Sequence, residues 1–260
     1  MLNGRWAALL CLAATSCAHG PNASADWISL FDGRTLNGWT PKISGYALGE
    51  DPMRTFRAED GVLRVSYDRY DGRFRKRFGH LAYRMPLGSY RLRLEYRVVG
   101  QSLPDVESWQ QSNSGVMLHG QAPATMGKDQ SFPVSIEVQL LGAARQEPAP
   151  TANLCTPGTN VIMGGKLETT HCINSTSAII PNGRWTRIEI NVDRDGNFTH
   201  WVDGVQVMTY AAAQYDPSDP DAQKLIEAAG GKLELRNGYI YLQSEGHPVE
   251  FRNLEIQILD

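Results

Sequence analysis

Cysteine is scarce in this chain, with four in 260 residues, and the charged side chains nearly cancel to a net −3. Acidic and basic residues are interspersed, so no basic patch marks a nucleic-acid surface. No apolar run approaches the roughly 20 residues that a permanent bilayer-spanning helix needs. The paired-cysteine spacing of a zinc site is missing, and no internal repeat or low-complexity linker divides the chain. What is present is an ordinary globular balance, 42% hydrophobic and 20% charged, which excludes a disordered protein. The 25 glycines and 14 prolines suit many short strands joined by turns. A β domain of this length commonly folds as one unit.

The N-terminus has the layout of a bacterial export signal: Arg5, the apolar stretch WAALLCLAA, then TSC. Ala14, Thr15 and Ser16 before Cys17 resemble a lipoprotein processing site, which would make Cys17 the lipidated first residue of the mature chain. Ordinary cleavage near Ala18 or Gly20 is the alternative. On this reading residues 1–17 are a signal peptide, the protein is exported to the periplasm or outer membrane, and it touches the membrane only through a lipid anchor. Export leaves Cys155 and Cys172 as the two thiols of the mature chain, and in an oxidising compartment they are expected to pair. Such a bond closes a loop of about 17 residues, worth roughly 3 kcal/mol in the chain-entropy model.

Period-two alternation recurs along the chain. In YRLRLEYRVV, Leu92, Leu94, Tyr96 and Val98 share one face while Arg91, Arg93, Glu95 and Arg97 share the other, a solvated stripe. TRIEINVDRDGNFTHWVDGVQVMTY predicts further strands around DRDGN and a tight Asp203-Gly204 turn. YIYLQS and VEFRNLEIQIL predict two more, with Leu254, Ile256 and Ile258 facing inward. One helix is expected: Asp219 as its cap, Pro220 in its first position and Gly230 past its end. Ala222, Leu225, Ile226 and Ala229 form its buried stripe. These elements predict an all-β two-sheet jelly-roll sandwich with one short helix, a single domain over 26–260. The stretch from Gly142 to Pro181 has the least regular pattern, and loops of that length tend to be functional.

Two strands carry chemistry. In SIEVQLL, Glu137 and Gln139 share a face and stand about 7 Å apart, given a rise of ~3.3 Å per residue. In NSGVMLHGQ, alternation puts Met117, His119 and Gln121 together, and Asn113-Ser114-Gly115 supplies a turn with exposed backbone donors. Amides, a carboxylate and an imidazole suit oriented hydrogen bonding better than they suit a plain solvated exterior. Gln243, Glu245 and His247 lie at a strand end before Pro248. Trp109 precedes NSG as an exposed stacking candidate, whereas Trp27, Trp39, Trp185 and Trp201 read as packing residues. His171 reads as structural, with its loop overhanging the site, and His80 and His200 as surface or edge residues.

Taken in order, WISLFDGRTLNGW, NSGVMLHGQ, IEVQLLG, GRWTRIEINV and GYIYLQSEGHPVEFRNLEI resemble the 3-keto-disaccharide hydrolase domain family over nearly the whole mature chain. The resemblance implies a concanavalin A-like jelly roll and an enzyme acting on an oxidised (3-keto) sugar or glycoside. The chemistry it implies is removal of the C2 proton, elimination of the C1 substituent, and hydration. Glu137 is then the candidate base and His119 the candidate proton donor or ketone polariser. Asn113, Ser114, Gln139, Gln243, Glu245, His247 and Trp109 are candidate substrate contacts. Glu137, His119, Glu245 and His247 together could hold a divalent cation. The family more often has Arg where His119 stands, and commonly Asp within the stretch Ser244-Glu245-Gly246. A non-catalytic sugar-binding module is the alternative function. A glycosidase with paired carboxylates is weaker, because Glu137 has no acidic partner in a neighbouring motif.

Overall fold

The computed structural model describes residue 1 and residues 26–259; Cys17 and nearly all of the expected signal peptide lie outside the described residues. The strands, in chain order, begin with β1 (Ile28–Ser29), β2 (Trp39–Ile43), β3 (Phe56–Glu59), β4 (Val62–Val65) and β5 (Gly79–Tyr83). Then come β6 (Tyr90–Val98), β7 (Asn113–Gly120), β8 (Ile136–Leu141), β9 (Asn153–Cys155), β10 (Thr159–Met163) and β11 (Lys166–Glu168). The remainder are β12 (Cys172–Ile173), β13 (Thr186–Val192), β14 (Asn197–Val202), β15 (Val205–Tyr215), β16 (Tyr239–Ser244) and β17 (Val249–Ile258). One α-helix among the described residues, α1 (Pro220–Ala228), follows β15.

These strands build two antiparallel sheets, the jelly-roll sandwich expected from the alternation. One sheet has ten strands and runs β11-β10-β15-β14-β13-β6-β17-β4-β3, with β1 added to β17. The other has seven and runs β12-β9-β8-β7-β16-β5-β2. Between them lies one core: Leu92, Leu94, Tyr96 and Val98 of β6 and Ile188 and Ile190 of β13 pack toward Val116, Leu118, Val138 and Leu140 of the seven-stranded sheet. Each such aliphatic side chain, fully removed from water, contributes about 1.5–3 kcal/mol.

The outer face of the ten-stranded sheet is an ionic lattice. Glu250 accepts from both Arg64 and Arg97, Arg93 pairs with Glu255, and Arg252 pairs with Glu95. Trp27 lies under Arg93, and Trp185 lies under Arg97 and Arg252, at 3.9–4.5 Å from ring centroid to guanidinium carbon. The charged stripe predicted from YRLRLEYRVV is thus a set of cross-strand pairs.

The helix forms as its caps predict: the Asp219 carboxylate accepts from the backbone N–H groups of Asp221 and Ala222, although of its expected stripe only Ala222 is fully buried. At the β14–β15 turn, Asp203 and Gly204 both take positive φ, +49° and +83°, as a tight two-residue hairpin requires. The Gly142–Pro181 stretch is more regular than its sequence suggests, since it contains β9 to β12. A disulfide joins Cys155 to Cys172, tying β12 to β9.

Candidate active site

Strand register places a polar row across the outer face of the seven-stranded sheet. Asn153 pairs with Gln139, Gln139 with Gly115, Gln243 with His80, and His80 with Lys42. One rung along, Cys155, Glu137, Met117 and Tyr241 are successive partners. Val138 and Leu140 point the other way into the core, so the alternation read in SIEVQLL holds for Glu137 and Gln139.

Gly115 is the gap that lets these groups meet. A Cβ placed there would come within 2.5 Å of Glu137 Oε1 and 3.0 Å of Gln243 Oε1. Both side chains therefore lean over the bare backbone of β7. Beside them opens a hollow of about 670 Å³, within the range of small-molecule sites. Trp109, Asn113, Glu137, Gln139, Asn153 and Glu245 line it, together with Arg145, Asn174, His171 and the disulfide.

Its electrostatics are unusual. Burial pushes the Glu137 carboxyl up to about 8. Glu245 is raised further above the carboxylate range, by burial first and then by the charge of Glu137. Two carboxyls in mutual repulsion hold at least one proton between them at neutral pH. Arg145 lies close enough to offset part of that repulsion, and burial lowers its own pKa. Several buried polar atoms here have no hydrogen-bond partner in the protein: Asn113 Oδ1, Arg145 Nε and Nη1, and Glu245 Oε2. Native structures leave few such atoms, and this cluster points to a polar ligand that satisfies them.

Several expected residues thus share one hollow: Glu137, Gln139, Asn113, Glu245 and Trp109, with Gln243 leaning in beside Glu137. Trp109 is 40% exposed and stacks on Phe78, ring planes 10° apart. Asn113 donates through Nδ2 to the Trp109 carbonyl, which leaves Oδ1 free for a ligand.

Three expected residues are elsewhere. His119 sits at a bulge in β7, where Tyr239 pairs with Gly120 but Tyr241 pairs with Met117, and it takes a φ of +49°. The extra residue breaks the alternation. The His119 ring turns into the core, 5.3 Å from Phe198 and 6.0 Å from Tyr90, with its nitrogens on the carbonyls of Gly88 and Leu235. Ser114 shares the core side with Val116, and its hydroxyl donates to the Gln243 carbonyl. His247 is buried beside the hollow without lining it, and its Nδ1 accepts from the Ser112 N–H. Burial pushes its pKa down to about 4.

The expected cation ligands therefore do not converge. Two of the four, Glu137 and Glu245, face the hollow, and no group of three or more His, Cys, Asp or Glu side chains among the described residues is arranged to hold a metal ion. The surface reading of His80 and His200 is also corrected, since both are fully buried. His200 bonds the Ala152 carbonyl and the Tyr210 hydroxyl. His80 has no partner on either nitrogen and is pushed down to about 3 by burial and the charge of Lys42. Sequence reasoning missed Arg145, Asn153 and Asn174, which lie in the stretch with no periodicity. It also missed the acidic partner of Glu137, which is Glu245.

Two antiparallel sheets of this topology, with a polar, amide-rich hollow on one face, define a concanavalin-like jelly-roll sandwich. The chain belongs to the 3-keto-alpha-glucoside-1,2-lyase-like domain family, whose model matches residues 26–257. Among solved structures it is similar to two candidate glycosyl hydrolases from Parabacteroides distasonis ATCC 8503. One is 16% identical, with a TM-score of 0.54 over 90% of this chain and 100% of that one. The other is 19% identical, with a TM-score of 0.52 over 90% and 94%. The Bacillus licheniformis β-glucanase is similar at 9% identity, with a TM-score of 0.51 over 92% and 100%. At these identities the structural likeness speaks for the fold alone. No curated protein matches the chain.

Proposed function

We propose that this protein cleaves 3-keto-glycosides by proton abstraction, elimination and hydration. A ketone at C3 acidifies the C2 proton, so a carboxylate can remove it to give an enolate. The C1–O bond then breaks as the C1=C2 double bond forms, and water adds across that bond to complete hydrolysis. Glu137 is the base. Its raised pKa brings it near the operating pH, where proton transfer is most effective. Glu245, held protonated by burial and then by the charge of Glu137, donates a hydrogen bond, and Arg145 supplies the positive charge that the enolate oxygen requires. Asn113, Gln139, Asn153 and Gln243 bind ring hydroxyls, and Trp109 covers a ring face.

The observation that carries this reading is the pair of mutually repelling buried carboxyls beside an arginine whose Nε and Nη1 lack partners. A site that only bound sugar would gain nothing from burying two mutually repelling acids. The same pair favours one other reading, a glycosidase acting on unoxidised sugars with Glu137 and Glu245 as its two carboxylates. One experiment separates them. The purified protein is incubated with a 3-keto-glucoside and with its unoxidised parent, with and without chelator, and aglycone release is followed. Release from the keto form alone, lost in Glu137→Gln, is expected. Equal turnover of both sugars refutes the proposal in favour of the glycosidase, and affinity without turnover leaves a binding module. The exported setting read from the N-terminus belongs to the same proposal, with the oxidised sugar as the partner met there.

A further inference from the structure

The hollow does not end at His171. A second cavity of about 550 Å³ adjoins it, lined by Gln130, Ser131, Thr159, Asn160 and several aspartates. The two cavities share Phe132, Pro157 and His171 as walls. His171 thus stands at a junction with an exposed ring. Its backbone is held firmly: its carbonyl accepts from the Thr156 N–H at 2.9 Å, and the next residue is the disulfide-bonded Cys172. Glu137, Cys155 and Cys172 are successive strand partners, so Cys172 lies about two strand spacings, ~10 Å, from the base.

We infer that the second cavity seats the aglycone and that His171 protonates the glycosidic oxygen as it leaves. This rests on the elimination reading above. With the ring in the first cavity and C1 directed at the junction, the scissile oxygen lies at the wall the two spaces share. A base and a donor must each reach within ~3 Å of C2–H and of the C1 oxygen; Glu137 lines the first cavity and His171 the wall it shares with the second. In the step, the enolate electrons form C1=C2, the C1–O bond pair goes to oxygen, and oxygen takes a proton from the His171 ring. The products are the unsaturated keto sugar and a neutral alcohol. The proton that Glu137 gained returns to His171 through water. The second cavity's hydroxyl, amide and carboxylate wall suits a hydroxyl-rich aglycone, such as a second sugar.

The test is a leaving-group series. Wild type and His171→Gln are assayed on 3-keto-glucosides whose aglycones run from p-nitrophenol to a simple alcohol to a second sugar. Because nitrophenolate leaves without protonation, His171→Gln is expected to lose about 100-fold or more on the alkyl and sugar glycosides and only a few-fold on the aryl one. Equal loss across the series, or none, overturns the donor role. Ser131→Trp, which fills the second cavity, is expected to raise KM for the 3-keto-disaccharide at least tenfold relative to the methyl 3-keto-glucoside. An equal change for both overturns the aglycone site. If wild type cleaves no 3-keto-glycoside, the function proposed above fails before this inference is reached.

Discussion

Replacing Glu137 with Gln keeps the shape of the side chain and removes its proton chemistry, so it separates two consequences of burying an acid. The folded-state value of about 8 lies above the ordinary 4.5. The acid's contribution to stability is therefore fully present below about 4.5 and is lost as pH rises toward 8. Over that window the folded state binds more protons than the unfolded state, so stability must fall with pH. At ~1.4 kcal/mol per unit, the rise from pH 5 to pH 8 removes roughly 3 kcal/mol that Glu137→Gln does not lose. Urea unfolding of both proteins across this range gives the measurement, with the variant gaining steadily on wild type. Activity should move oppositely: kcat/KM of wild type rises toward pH 8 as Glu137 ionises, and the variant loses about 10²–10⁴-fold. A stability difference that stays flat between pH 5 and 8 would refute the claim that this carboxyl is buried and protonated.

Arg145→Gln removes the charge assigned to the enolate oxygen and should cut kcat on a 3-keto-glucoside by about 10²-fold or more, with KM changing less. Gly115→Ala adds one methyl group that meets Glu137 Oε1 and Gln243 Oε1. Flexible side-chain ends can move aside, so thermal melting should shift by only a few degrees while turnover collapses. Replacing Cys155 and Cys172 together with Ala should cost about 3 kcal/mol by urea unfolding. His119→Gln lies outside the hollow and should leave turnover within a few-fold, while weakening the core by about 1–3 kcal/mol.

Local pattern made the sandwich readable. Alternation alone assigned the faces of β6, β8 and the C-terminal half of β17, and capping residues located α1. The same rule found Glu137 and Gln139 because β8 is regular. It failed at His119 because a bulge adds one residue without changing composition, and nothing in LHGQ marks where the pleat slips. Arg145, Asn153 and His171 come from a segment whose strands are only two to five residues long, too short to impose a period. The pairing of Glu137 with Glu245 depends on β8, β7 and β16 lying side by side and on the missing side chain at Gly115. That is a fact of topology, and no window of sequence contains it. The Cys155–Cys172 pair was legible because the expected export leaves those two thiols in an oxidising compartment.

The two outer faces of the sandwich manage charge in opposite ways. Behind, on the ten-stranded sheet, partly exposed guanidinium groups are matched by carboxylates or indoles. In front, two acids are withheld from solvent beside a half-buried arginine, with part of the group's bonding capacity unused. Dissolved ions reach the first set and not the two buried acids. Added salt should therefore loosen the back of the molecule slightly and leave its grip on an uncharged sugar unchanged.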